Sequence, residues 1–207
     1  MREHLERAFD ACRGLDGGRP LQTIPALARV DPDQFALASC SIDGATESVG
    51  ATDRSFSLQS VTKPFVFGWA LGALGEEQVR RHVGVEPTGD AFDSMVKLEA
   101  GTHRPHNPMI NAGAIAVSGL FYSTYGADSD RAMREFFAEL TGGPPPEVDE
   151  TVFQSERGAA HRNRAIAYLM RHFHHLESRV DDVLDVYLRQ CALRGNCRDL
   201  AVMAATL

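Results

Sequence analysis

At 207 residues, with 43% hydrophobic and 24% charged residues, the chain has the make-up of a globular protein large enough for one full core. A formal net charge of −7, with no cluster of basic residues, argues against a nucleic-acid surface. No apolar run is long enough to cross a bilayer, and the polar N-terminus MREHLERAFDACRG has no secretory-type apolar segment, so the expectation is a cytoplasmic protein without a membrane partner.

Residues 3–13 read as a helix that GLDGGRP breaks. TIPALARV suggests a short helix with Pro25 in its first turn. FALASCSI is apolar and β-prone, and Asp43-Gly44 behind it is a hairpin signal, so residues 35–58 are expected to form two or three antiparallel strands. Cys40 in that run is expected to be buried as a small hydrophobe. After Gln59 the period changes. VTKPFVFGWALGALG, EEQVRRHVG, MINAGAIAVSGLFYSTYG, DRAMREFFAEL, AAHRNRAIAYLMRHF and VDDVLDVYLRQCAL all read as helices, with TGGPPPE as a loop. The last residues, CRDLAVMAATL, read as an apolar helix that stops without a cap or a polar tail. Cys12, Cys40, Cys191 and Cys197 form no C-x-x-C pair, so neither a zinc site nor a disulfide framework is expected. His172, His174 and His175 look like ligands, but neighbours on a helix point different ways. They read as a solvated helix end, and no metal is expected.

Of the 21 basic residues only Lys63 and Lys97 are lysines; the rest are arginine. Arginine carries surface charge equally well but cannot lose a proton to act as a base. Lys63 lies three residues after Ser60 in SLQSVTKPF. Ser60 follows a predicted strand and opens a predicted helix, where serine is a good N-cap. Pro64 is tolerated that early in a helix, since its missing N–H has no intrahelical partner. Residues three apart share a helix face, so Lys63 can reach the Ser60 hydroxyl. The helix N-terminus would direct N–H groups at a developing oxyanion, and desolvation would let the lysine act as a base. The bland alternative is an N-cap serine beside a solvated lysine. Ser94 and Lys97 repeat the spacing, but no strand precedes them, and they read as a surface turn.

Ser-x-x-Lys is a weak signal by itself. Behind LQSVTKP, however, NPMINAGAIAV (107–117), VFQSERGAAHRN (152–163), DVYLRQCA (185–192) and DLAVMAATL (199–207) follow in order. Together these stretches closely resemble the serine-dependent glutaminases, from about residue 20 to the last residue. The resemblance implies an α+β fold of the β-lactamase/penicillin-binding-protein type, hydrolysis of L-glutamine to L-glutamate and ammonia, and no cofactor. It implies Ser60 as nucleophile, Lys63 as its base, and Asn111, Glu156, Asn163 and Tyr187 as residues that hold substrate with Ser60. A carboxylate such as Glu156 suits the α-ammonium of glutamine, while amide and hydroxyl donors suit its carboxylate and amide. Glu156 and Asn163 are seven apart and share a face if one helix includes both. Without the family, Asn111 would be a buried structural amide, Tyr187 a core residue and Glu156 a solvated charge.

The chain is expected to be a single glutaminase domain, with an N-terminal helix and strands over about 20–60 and a helical part over 60–207. Two departures from the family stand out. Where the family carries a Tyr before Ile-Pro, this chain has Thr23. Family members also continue further, with another active-site Tyr, a Lys-Ser-Gly segment, a second oxyanion N–H and more strands, so the chain reads as cut after its helical part. An inactive, truncated relative is one alternative. Another is a different Ser-x-x-Lys hydrolase of the penicillin-recognising type, disfavoured because its Ser-Asp-Asn signature is absent. The family commonly assembles from identical subunits, so a homo-oligomer is expected.

Overall fold

The computed structural model of the protein describes residues 1–89, 91–92 and 101–207. The first helix, α1 (Arg2–Cys12), ends before the glycine-rich break. TIPALARV folds into less than expected: a single 3₁₀ turn, Leu27–Arg29, with Pro25 ahead of it. The N–H groups of Leu27 and Ala28 both bond to Ile24 O, and Val30 is already extended. Pro32 disfavours helical backbone at Asp31, so the helix does not resume after Val30.

β1 (Ala36–Cys40) and β2 (Thr46–Gly50) form the expected hairpin, in register from Ala36 opposite Gly50 to Cys40 opposite Thr46. Gly44 takes φ +88° in the turn, a conformation that glycine adopts without steric cost. The third strand is a correction. β3 (Phe56–Ser57) does not extend the hairpin; it pairs with β4 (Arg194–Gly195), far away in sequence. Gly50 at φ +88° and the tight turns at Thr52 and Arg54 lead the chain off the ladder. Cys40 is half-buried, like every residue of β1, because a two-stranded sheet cannot cover both of its faces.

The remaining helices among the described residues are α2 (Lys63–Leu74), α3 (Glu76–His82), α4 (Asn111–Tyr125), α5 (Ser129–Thr141), α6 (Glu150–Ala159), α7 (His161–His172), α8 (Val180–Cys191) and α9 (Cys197–Ala204). Strands confined to small antiparallel sheets beside a helical majority make this an α+β protein.

The chain divides into two compact units, one of residues 1–58, 133–156 and 192–207, the other of residues 59–132 and 157–191. In the first, α1 and α9 pack on the hairpin, and Phe9 stacks on Phe35 with ring centroids 5.1 Å apart. α9 starts from a reciprocal cap. Asn196 accepts from the N–H of Arg198 and Asp199, and the Asp199 carboxylate accepts from Asn196 N. Arg198 then ties α9 to the hairpin region through Ser48 and Asp53.

In the second unit α4 is the centre. Every residue from Asn111 to Phe121 is buried, as expected of a helix that is apolar all round, and α2, α7 and α8 pack against it. Trp69 of α2 packs its indole on Phe121, 4.3 Å between centroids. Two glycines let neighbours approach. A Cβ at Gly113 would overlap the carbonyl of Asn107, and one at Gly119 would meet Leu176 Cδ1 at 2.7 Å.

The two positions should respond differently to alanine. At Gly113 the obstacle is backbone, so Gly113→Ala should cost about 1–3 kcal/mol and lower the melting temperature by several degrees. At Gly119 the obstacle is the tip of a leucine that can rotate away, so Gly119→Ala should cost less. Thermal melts followed by circular dichroism compare them; equal melting temperatures for Gly113→Ala and the parent would show that α4 is free to shift.

Candidate active site

The turn that carries Ser60 belongs to the second unit. Gln59 has φ +52°, a left-handed conformation rare for a residue with a side chain. Residues Gln59–Thr62 form a 3₁₀ turn, and α2 begins only at Lys63. The expected helix start at Ser60 is therefore corrected by one turn: Thr62, not Ser60, borders α2, and Pro64 falls in its first turn. The cause is local. The Thr62 hydroxyl donates to Gln59 O at 2.7 Å and closes a turn tighter than an α-helix. Ser60 is left exposed.

Lys63, the first residue of α2, is only 3% exposed. Its Nζ donates to Asn111 Oδ1 at 2.8 Å and to Met109 O at 3.0 Å. Asn111 opens α4 and is a hub. Its Oδ1 also accepts from the Tyr187 hydroxyl at 3.4 Å, and its Nδ2 donates to Asn163 Oδ1 at 3.0 Å. Tyr187 lies on α8 and is 2% exposed; Asn163 is half-buried on α7. Four predicted residues from four helices thus meet in one hydrogen-bonded set, which Ser60 does not join.

Glu156 lies in the first unit, on α6, and is buried rather than solvated. It does not share a helix with Asn163. α6 ends at Ala159, Ala160 takes ψ +32°, and α7 begins at His161, so the seven-residue spacing puts the two on no common face. Thr23 is exposed. Ser94 and Lys97 fall outside the described residues. His175 Nε2 lies 2.7 Å from Thr102 O, and the His103 ring stacks on Phe173 at 3.9 Å. Among the described residues no group of His, Cys, Asp or Glu is arranged to hold a metal ion, and all four cysteines are free thiols.

Several supporting residues lie inside the quoted motifs but are not singled out by the sequence. Asn107 Oδ1 accepts from the N–H of Met109 and Ile110, while its Nδ2 donates to Glu86 O, and this turns the chain into α4. Arg157 forks onto Asp185 with bonds of 2.7 and 3.2 Å, joining two of the motifs, SER and DVY. Gln190 Nε2 donates to Thr62 Oγ1 at 2.9 Å. Its spacing from Tyr187, three residues along α8, is the one cue that could have marked it, since it shares that helix face.

The family model described as Glutaminase matches residues 18–207. The chain is 46% identical to glutaminase 2 of Bradyrhizobium diazoefficiens, over 100% of this chain and 33% of that protein. It is 43% identical to a glutaminase of Trichormus variabilis, over 94% of this chain and 58% of that one. Among solved structures, the probable glutaminase ybaS superposes with a TM-score of 0.93 at 32% identity, covering 99% of this chain and 66% of that chain. Mglu in its glutamate form superposes with a TM-score of 0.92 at 34% identity, covering 99% and 47%. The chain thus spans between one third and about three fifths of the curated relatives it matches. Its α+β architecture is the β-lactamase-like fold of these enzymes. By the family match and the solved neighbours together, the chain belongs to the glutaminase family.

Proposed function

We propose that the protein hydrolyses L-glutamine to L-glutamate and ammonia, with Ser60 as nucleophile. The observation that carries the reading is Lys63. It is a buried lysine three residues after an exposed serine, held by Asn111 and Met109 O, in a chain of this family. Ser60 Oγ attacks the side-chain amide carbon while Lys63, as the neutral amine, takes the hydroxyl proton. That proton passes to the amide nitrogen, the C–N bond breaks, and ammonia leaves. Water then cleaves the glutamyl ester, and the serine hydroxyl is restored. Serine, lysine and water balance the reaction.

Asn111, Asn163 and Tyr187 are proposed to hold the substrate's carboxylate and amide, which match amide and hydroxyl donors. Glu156, a buried carboxylate, is proposed to pair with the α-ammonium. The residues described here are read as part of one glutaminase domain. A cytoplasmic home fits the four free thiols, and among the described residues no helix is long and apolar enough to cross a membrane. Assembly from identical subunits completes the proposal, and light scattering on the purified protein tests it.

On the full-length gene product, Ser60→Ala should abolish ammonia release from L-glutamine while Ser94→Ala leaves it nearly intact. Equal losses would remove Ser60 from its role. Lys63→Arg should be as damaging as Lys63→Ala, since a guanidinium cannot take a proton at working pH; near-normal turnover in the arginine variant would mean that charge alone matters. Glu156→Gln keeps the shape and removes the charge, and truncating one side of a desolvated charge pair costs about 2–5 kcal/mol. The variant should therefore discriminate less against analogues that lack the α-amino group. If it rejects them as strongly as the parent does, another residue binds the ammonium.

A further inference from the structure

The buried polar side chains behind Ser60 have no place in the reaction above. Thr62 and Ser118 are 0% exposed and Gln190 is 1% exposed, on α2's border, α4 and α8. A polar group buried this deeply costs stability unless it is hydrogen-bonded. Here the bonds form a chain with a fixed direction. The single proton of the Thr62 hydroxyl goes to Gln59 O at 2.7 Å. Thr62 therefore meets Gln190 with a lone pair, and only the Gln190 amide NH₂ can satisfy it, at 2.9 Å. The other end of that amide, Oε1, faces Ser118 Oγ at 3.5 Å, while Ser118 itself bonds back to Ala114 O. The carbonyl at the far end belongs to Gln59, the residue held at φ +52° immediately before Ser60. A left-handed conformation at a residue with a side chain is strained and persists only where its surroundings enforce it.

We propose that Gln190 and Thr62 are positioning residues for the nucleophile. Acting through the Gln59 carbonyl, they hold the backbone in the conformation that aims Ser60 Oγ at the substrate. The inference rests on Ser60 being the nucleophile. It assigns to α8 a second duty beside Tyr187, on the same helix face. Neither side chain touches substrate in this assignment. Their loss should slow attack and leave binding alone.

The test uses the full-length protein and two readouts: glutamine turnover, and the rate at which a fluorophosphonate probe labels Ser60, which needs no glutamine. Thr62→Val removes the hydroxyl at constant shape; Thr62→Ser keeps it. Thr62→Val should lower kcat and the labelling rate by about 10–100-fold, the scale of a small misplacement of a reacting group, with KM within about twofold. Thr62→Ser should stay near the parent. Gln190→Leu should give a loss similar to that of Thr62→Val, and the double variant should lose no more than the worse single one, because both act through one bond. Thr62→Val alone leaves the Gln190 NH₂ without this acceptor; replacing both partners by apolar groups removes that orphaned buried donor, so the double variant remains readable if Thr62→Val folds poorly. Thr62→Val labelled as fast as the parent would overturn the proposal, as would losses that simply add or that appear in KM alone. A parent in which Ser60 takes no label would instead overturn the underlying assignment of the nucleophile.

Discussion

Burial of the Lys63 amine is the constraint on which the site depends. A lysine only 3% exposed has given up most of its water, and its Nζ needs oxygen partners in exchange. Met109 O and Asn111 Oδ1 supply them from the first residue of α4 and the turn before it. The N-terminus of a helix carries partial positive charge, which disfavours an ammonium nearby. The two oxygens offset that field. The requirement passes outward through the chain. Asn107 must turn the backbone so that Met109 O faces Lys63, and Gly113 must lack a Cβ so that α4 can lie against Asn107. A packing glycine and a lysine-holding asparagine, two residues apart in NAGA, thus serve the same end. The choice between a structural and a functional reading of that motif is a false one.

Ser60 is controlled from another side. Its turn is braced by Thr62 and Gln190, so α8 supports the Ser60 turn while α4 holds the Lys63 amine. Tyr187 and Gln190 reach these two places from one face of α8, being three residues apart. The Arg157–Asp185 pair lies near Tyr187 in the chain, but its side chains are 44% and 37% exposed. An exposed pair of this kind contributes at most about 1 kcal/mol, so its value is orientation more than stability.

What the sequence disclosed and what it hid follow from the range of the interactions. The hairpin was legible because Asp43-Gly44 specifies its own turn, and α4 because an unbroken apolar stretch of that length can only be a buried helix. The pairing of β3 with β4 was not legible, since it joins residues 56–57 to 194–195 and neither two-residue strand has a pattern of its own. The start of α2 was misplaced because serine looks like a cap wherever it precedes a helix. The deciding contact, Thr62 to Gln59 O, tightens the turn by a side chain that propensity does not see. The helix read over AAHRNRAIAYLMRHF began close to the true start of α7, but α6 ahead of it went unread, because VFQSERGA carries a mixed pattern and a glycine. In the site, residues that meet directly, such as Lys63, Asn111, Asn163 and Tyr187, lay in recognisable motifs. Those that act at one remove, such as Gln190 and Asn107, lay in the same motifs but were not singled out within them, because a glutamine or an asparagine acquires its meaning only from the buried partner it faces.

The distribution of cations makes sense on the same terms. The surface pairs recorded among the described residues, such as Arg2–Glu6, Arg80–Glu76 and Arg81–Glu77, join arginine to carboxylates on exposed helix faces. There the planar guanidinium loses nothing by being permanently charged, and each pair is worth little. At position 63 the demands are different. The donor must be compact enough to sit between a backbone carbonyl and a side-chain amide oxygen, and in the proposed reaction it must also give up its proton. A guanidinium meets neither demand, since its five donors form a wide fork and its charge is fixed. A chain that otherwise relies on arginine therefore has a physical reason to place a lysine at this position, where burial and chemistry both exclude arginine.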